Sequence, residues 1–269
     1  MGRAVPAVLR ALDILELFGT TEELSIPEIH SRLGLPRTTV HELVGTLVER
    51  SYLAPVPGQP HRFRLGVGVF HLGSAYAERL DLAREGQAAA EEVAAACDET
   101  VHVAVLEGRD VVYVAKVDST HPVRMVSAVG RRLPAHCTAV GLMLLARLEQ
   151  RSLDTLFPPG RRLPGLTSRS LTTSRQLRDR LGAVRTDGLA QEYCESNEAV
   201  ACVAAPVSDH TGATVAAMSI SVPTVRWSPE RAAELAGLVR EGASALSVRL
   251  GHVPDAHLVT VADRGETFR

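Results

Sequence analysis

Four cysteines, at positions 97, 137, 194 and 202, are few and irregularly spaced. None stands in a CxxC pair, which excludes a zinc knuckle and a disulfide framework and leaves reduced, packed thiols. No stretch approaches the ~18 consecutive apolar residues of a membrane span. The N-terminus, MGRAVPAVLRALDILELF, is an amphipathic helix containing acids rather than a basic stretch leading into an apolar export core, so a cytoplasmic protein is expected. GxGxxG, GxxxxGK[ST] and internal repeats are missing too, which removes the common nucleotide-binding and solenoid readings. A charge excess is also lacking: 29 basic against 31 acidic residues give a formal −2, so any attraction to a polyanion must be local. Lysine occurs once, at Lys116, and no functional conclusion follows from the arginine bias.

What is present suffices for two cores. With 45% apolar and 22% charged residues over 269 positions, the chain can hold a small domain of about 65 residues and a larger one. Residues 24–65, LSIPEIHSRLGLPRTTVHELVGTLVERSYLAPVPGQPHRFRL, read as two short helices, a tight turn and a basic hairpin. Ser25 with Glu28 forms a capping box, and Pro27 in the first turn has no amide to leave unsatisfied. Gly34 ends that helix and Pro36 fixes φ at the start of the next. There Val40, Leu43, Val44, Leu47 and Val48 form a buried stripe, while Thr38, Glu42, Gly45 and Glu49 lie opposite, with Arg37 and Thr39 in the first turn and His41 on the flank. Such an exposed N-terminal turn is what a recognition helix presents to base edges and phosphates.

The hairpin follows Tyr52-Leu53. Pro55 to Pro60 is turn chemistry, and His61-Arg62-Phe63-Arg64-Leu65 alternates, so Phe63 and Leu65 are expected inward and Arg62 and Arg64 outward. Two outward arginines beside a recognition helix suit a phosphate backbone or minor groove; a plain solvated face is the other reading. Between residues 30 and 70 five arginines oppose Glu42 and Glu49, a local excess that the total charge conceals.

Residues 67–85 carry Val69, Leu72, Ala75, Tyr76 and Leu80 on one side and read as a linker helix, its stripe either packed on its own domain or paired with a twin in a dimer. From residue 100 the period becomes two: Thr100–Leu106, a turn at 107–110 and Val111–Val117 form a hairpin, and a third strand is expected over Val123–Val129. A helix follows over 136–148, and another is capped by Thr172 or Thr173 and ends before Gly188. Strands are expected over Val200–Val207 and Ala213–Val222, and a last helix is capped by Ser228 with Pro229 at its first position. Without strict βα alternation this is an α+β chain with a largely antiparallel sheet.

Taken together, the chain resembles the IclR family of bacterial transcriptional regulators, in which a winged helix-turn-helix precedes a GAF-like α/β effector domain. The resemblance rests on LRALDILELF, on LSIPEIHSRLGLPRTTVHELVGTL, on ETVHVAVLEGRDVVYVAKVDSTHPVRM with VGRRLPAHCTAVG, and on ESNEAVACVAAPVSDHTGATVAAMSIS. It implies a winged helix-turn-helix over 1–67, a linker helix over 68–85, an effector domain over 86–252 and a flexible tail over 253–269. It further implies a homodimer or dimer of dimers, probed by operator DNA and by a small organic acid or aromatic catabolite, with repression as the expected output and no cofactor. Carried over by position, DNA is met by Arg37, Thr38, Thr39, His41, Glu42, Arg62 and Arg64. The effector is met by Met125 on an incoming strand, Ala139 and Val140 at a helix start, Glu192, Val200 and Cys202, and Ser219 and Ser221.

Residue chemistry bears on that pocket. Ser219 and Ser221 share one face of a strand, and amides at a helix N-terminus favour an anion such as a carboxylate. Two serines on a strand are also common as satisfied core groups. The chain departs from the family at Glu42 (usually arginine), Leu142 (usually lysine), Glu192 (usually Asp or Ser) and Ser208 (usually aromatic or His), whereas Glu195, Cys202 and Asp209 fit. Glu42 can accept from a cytosine amino group, so operator preference should differ. Glu192 would oppose a second negative charge and hints at a ligand with a donor. Two rivals are an architectural DNA binder without a ligand and an enzyme fused to a DNA reader. For the latter, His102, His136, Cys137, Cys202 and His210 supply residue types, but His136 and Cys137 are adjacent and no further ligand stands at metal spacing, so no catalytic or metal role is expected.

Overall fold

The computed structural model describes residues 5–77, 81–125 and 127–253. Contacts divide the chain into two compact units, with the boundary between Leu80 and Asp81.

The first unit begins with α1 (Pro6–Leu17), β1 (Leu24–Ser25), α2 (Ile26–Leu33) and α3 (Arg37–Glu49), then β2 (Leu53–Val56), β3 (Gln59–Leu65) and α4 (Val67–Ala77). The Ser25–Glu28 capping box starts α2, and Gly34 ends it in the left-handed conformation at φ 64°. Val40, Val44 and Leu47 face a core made with Ile14, Phe18, Leu24, Ile29 and Leu53. The strands pair antiparallel in the order β1-β3-β2, with Leu24 opposite Phe63 and Ser25 opposite Arg62. Leu65, expected inward, is 40% exposed, because it lies at the open end of β3 beyond the reach of β1.

The end of α3 and the start of α4 meet at one peptide. Ser51 adopts φ 62°, and its carbonyl accepts from the Gly68 amide at 2.8 Å. A Cβ on Gly66 would lie 2.2 Å from the Ser51 oxygen, and one on Gly68 2.9 Å, so both positions require glycine.

The stretch read as one linker helix over 68–85 contains two. After α4 the next helix, α5 (Leu82–Cys97), starts where Asp81 accepts from the amides of Ala83 and Arg84. Residues 78–80 lie outside the described residues, as does the expected tail from 254 onward.

The second unit continues with β4 (Thr100–Glu107), β5 (Asp110–Val117), β6 (Arg132–Pro134), α6 (Ala139–Ala146), α7 (Gln150–Leu156), α8 (Ser174–Asp187), β7 (Ala190–Tyr193), β8 (Val200–Ser208), β9 (Thr214–Pro223) and α9 (Pro229–Arg249). One six-stranded sheet has the order β6-β5-β4-β9-β8-β7, every pair antiparallel. Helices α5 and α9 cover one face, over Val103, Ala115 and Met218; α6 covers the other, over Ala104, Tyr113, Cys202, Ala204 and Ala217. Mixed α+β architecture with helices on both faces of an antiparallel sheet is thus observed.

The strand expected over 123–129 is absent among its described residues. Val123 and Val129 are each 60% exposed, so the apolar alternation there buries nothing, and the Val123 carbonyl instead accepts from Arg226. The sheet edge is the shorter β6, and Met125 lies on an irregular, buried segment rather than on a strand. The helix expected over 136–148 is a 3-10 turn at Ala135–Cys137 followed by α6. Thr138 breaks it: its hydroxyl caps the Gly141 amide at 3.1 Å.

Candidate functional site

Two groups of side chains deserve a functional account, one in each unit. In the first, α3 turns its uncharged stripe to the core and leaves Arg37, Thr38, His41 and Glu42 exposed, with Thr39 half-buried. Arg37, Thr38, His41 and Glu42, with Ile26 at the start of α2, line a concavity of about 470 Å³. The first turn of α3 has no acid, so its free amides and Arg37 present positive potential at the rim. Arg64 is exposed on the wing and makes no ion pair among the described residues.

Arg62 is placed differently from its expectation. Its guanidinium turns back onto the unit: Nη2 donates to the Glu23 carbonyl at 3.0 Å, Nε lies 3.5 Å from Glu23 Oε2, and Nη1 lies 3.4 Å from Glu28 Oε2. Glu28 is held below the usual carboxylate range, chiefly by hydrogen bonds from Ser25 and further by Arg62 and Arg32. The register opposite β1 aims Arg62 at these acids, and that two-residue strand was not foreseen from periodicity.

In the second unit, the sheet register gathers the residues named for a pocket. Glu192, Cys202 and Ser221 are cross-strand partners in one row over β7, β8 and β9. Lys116, His102, Ser219 and Ala204 form the neighbouring row on the same face. Val200 shares that face through the period of two. Ala139, Val140, Met125, Val200 and Cys202 belong to one buried cluster with α6. The caps of α6 satisfy Gly141, whereas Ala139 and Val140 have no intrahelical acceptor by helix geometry.

A chain of polar contacts crosses this face. The Glu195 amide donates to Glu192 Oε2 at 2.8 Å and Ser196 Oγ donates to Glu192 Oε1 at 2.7 Å. Cys202 Sγ lies 3.2 Å from both Glu192 Oε1 and Ser221 Oγ, Ser221 Oγ lies 3.4 Å from His102 Nδ1, and His102 Nε2 lies 2.6 Å from Ser127 Oγ. The His102 ring stacks on Tyr113, with centroids 4.4 Å apart. Burial, with Lys116 adding, pushes His102 down to about 3, so the ring is neutral. Burial raises the Glu192 carboxyl and the Cys202 thiol. A buried thiol of this kind is a poor nucleophile. Glu192 accepts from protein donors without any ligand. Sequence reasoning misses His102, Tyr113, Lys116 and Ser127 as companions of Ser219; hairpin alternation pairs His102 with Lys116, but only the β4–β9 register brings His102 opposite Ser219.

Residues 74–248 match the family model described as "Bacterial transcriptional regulator IclR C-terminal", and residues 7–57 match "IclR helix-turn-helix domain". The chain belongs to the IclR family. This regulator is 31% identical over 249 residues to the HTH-type transcriptional regulator KdgR of Escherichia coli (strain K12), covering 93% of this chain and 94% of that protein. The HTH-type transcriptional regulator XynR of the same strain is 31% identical over 249 residues, covering 92% and 98%. Among solved structures, the Agobacterium tumefaciens repressor BlcR superposes with a TM-score of 0.82 at 30% identity, covering 94% of this chain and 100% of that one. The regulator is therefore an effector-responsive DNA-binding protein, with its helix-turn-helix in the first unit and its effector-binding domain in the second. No helix among the described residues is long and apolar enough to cross a membrane.

Proposed function

We propose that this regulator represses transcription as a homodimer or dimer of dimers bound to a pseudo-palindromic operator, and that a small organic acid or aromatic catabolite controls it. Arg37, Thr38, Thr39, His41 and Glu42 meet the major groove, and Arg64 meets the backbone beside it. The observation that carries the DNA reading is the uncovered N-terminal turn of α3 around its concavity, on a helix whose Val40, Val44 and Leu47 are buried in the core behind it. A two-fold dimer places two such helices about one DNA turn, roughly 10 bp, apart and so demands an inverted repeat. Selection of fragments from a random duplex pool with the purified full chain tests it; an enriched motif without inverted symmetry, or no enrichment, overturns it.

The effector occupies the α6-side face of the sheet. Ala139 and Val140 amides and the Ser219 hydroxyl receive its carboxylate, and Met125 and Val200 pack its apolar part. Glu192, Cys202 and Ser221 form the wall beneath it. The domain acts without catalysis: its cysteines are buried, and His102 on the proposed effector face is neutral and hydrogen-bonded on both sides. A ligand-free architectural role would leave every acid in a thermal-shift panel without effect, whereas a regulator is stabilised by one of them and returns it unaltered.

A further inference from the structure

The two wing arginines look equivalent in sequence and are not equivalent in space. Arg64 projects freely, whereas Arg62 faces two carboxylates and a carbonyl. Glu23 and Glu28 both face the guanidinium, so a phosphate approaching Arg62 also approaches two acids. The partners are informative. Glu28 Oε2 accepts from Ser25 N at 2.7 Å and from Ser25 Oγ at 2.6 Å, and Ser25 is the cross-strand partner of Arg62. The wing strand is thereby tied to the capping box that starts α2 at both of its members, by the backbone pairing of Arg62 with Ser25 and the ion pair of Arg62 with Glu28.

We propose that Arg62 is a positioning residue of the DNA-binding head: it clamps the wing to the N-terminus of α2, fixing Arg64 relative to the recognition helix without neutralising a phosphate itself. This rests on the reading of α3 and the wing as the DNA surface.

The test is a fluorescence-anisotropy titration of the full chain at several salt concentrations, on a duplex enriched by the wild type and on an unrelated duplex of equal length. Arg64→Ala should flatten the dependence of log K on log salt by about one. Arg62→Lys keeps the charge but cannot span Glu23 and Glu28 with a fork of donors. It should weaken the enriched duplex by about tenfold, the equivalent of one positioned contact, while leaving the salt slope and the unrelated duplex unchanged. Glu28→Gln preserves capping, since glutamine serves at that helix position, and removes a negative charge. The clamp requires this variant to bind the enriched duplex more weakly. Wild-type behaviour of Arg62→Lys, a slope reduced by about one in Arg62→Gln, or tighter binding by Glu28→Gln each overturns the clamp. Failure of the wild type to bind either duplex would instead overturn the DNA-surface reading.

Discussion

Arg226 grips Glu99 with two nitrogens, Nε on Oε1 at 2.8 Å and Nη2 on Oε2 at 2.6 Å. The carboxylate it holds is only 1% exposed, and the third Arg226 donor reaches the Val123 carbonyl. This pair anchors the start of β4, the turn after β9 and the irregular segment leading to Met125.

Removing the arginine leaves a buried carboxylate alone. Arg226→Ala should cost about 2 to 4 kcal/mol, below the full cost of breaking a buried pair because the guanidinium is partly solvated. Arg226→Lys should recover less than half, since an ammonium cannot meet both oxygens. Urea unfolding at neutral pH measures both; a loss under about 0.5 kcal/mol in Arg226→Ala refutes the anchoring role.

His102 gives the second unit an acid weakness. Its folded value, about 3, lies below the ordinary 6.5, so the unfolded chain binds the extra proton first. The stability this contributes is complete above pH 6.5 and declines by about 1.4 kcal/mol per pH unit as pH falls toward 3. Glu192, raised by burial, acts with the opposite sign, losing its contribution as pH rises through its own window. His102→Gln should therefore show a smaller fall in Tm between pH 7 and pH 5 than the wild type, by the equivalent of about 2 kcal/mol. Equal falls would exclude His102 as the source.

The two serines should separate in a ligand screen. Ser219→Val removes a hydroxyl that supports no other group among the described contacts, so the fold should persist while the stabilising acid binds at least about tenfold more weakly. Ser221→Val deprives both Cys202 and His102 of a partner and should cost about 1 to 3 kcal/mol even without ligand. Thermal shifts of both variants with the acid that stabilises the wild type decide this. A Ser219→Val protein responding at the wild-type concentration moves the pocket elsewhere.

Glu42 should set preference rather than strength. Glu42→Ala removes an acceptor from the exposed face of α3, so selection from a random pool should return a different base at one position of each half-site. Arg37→Ala, by contrast, should weaken all sequences and lower the salt slope by about one. An identical motif from the Glu42 variant, or an unchanged slope from the Arg37 variant, contradicts these roles.

Local chemistry explains which parts of the fold were legible. The helix starts at Ser25, Thr173 and Ser228 and the stop at Gly188 depend on residues a few positions apart, and all four are observed. The hairpin at 100–117 was equally plain, because two β-branched runs flank a Gly108 turn, although only β5 buries alternate residues and the first five residues of β4 are all buried. Most of α5 went unread because its buried side is Gly86, Ala89, Ala90, Ala94 and Cys97 around a lone Val93, small residues that carry little apolar contrast. Those small residues are what packing against the sheet requires: Gly86 lies against Ala115 and Val103. The ion pairs of Arg62 were not legible for a non-local reason, since Glu23 and Glu28 approach it only through the β1 pairing. The candidate pocket was legible through the family resemblance, whereas its neighbours His102 and Lys116 required the strand register.

The glycines at 66 and 68 have a mechanical meaning. With Gly68 bonded to the Ser51 carbonyl and no room for a side chain at either position, α4 begins as a direct extension of the peptide on which α3 ends. A side chain at either position would act as a shim driven into that joint, prising the first turn of α4 away from the peptide that follows α3.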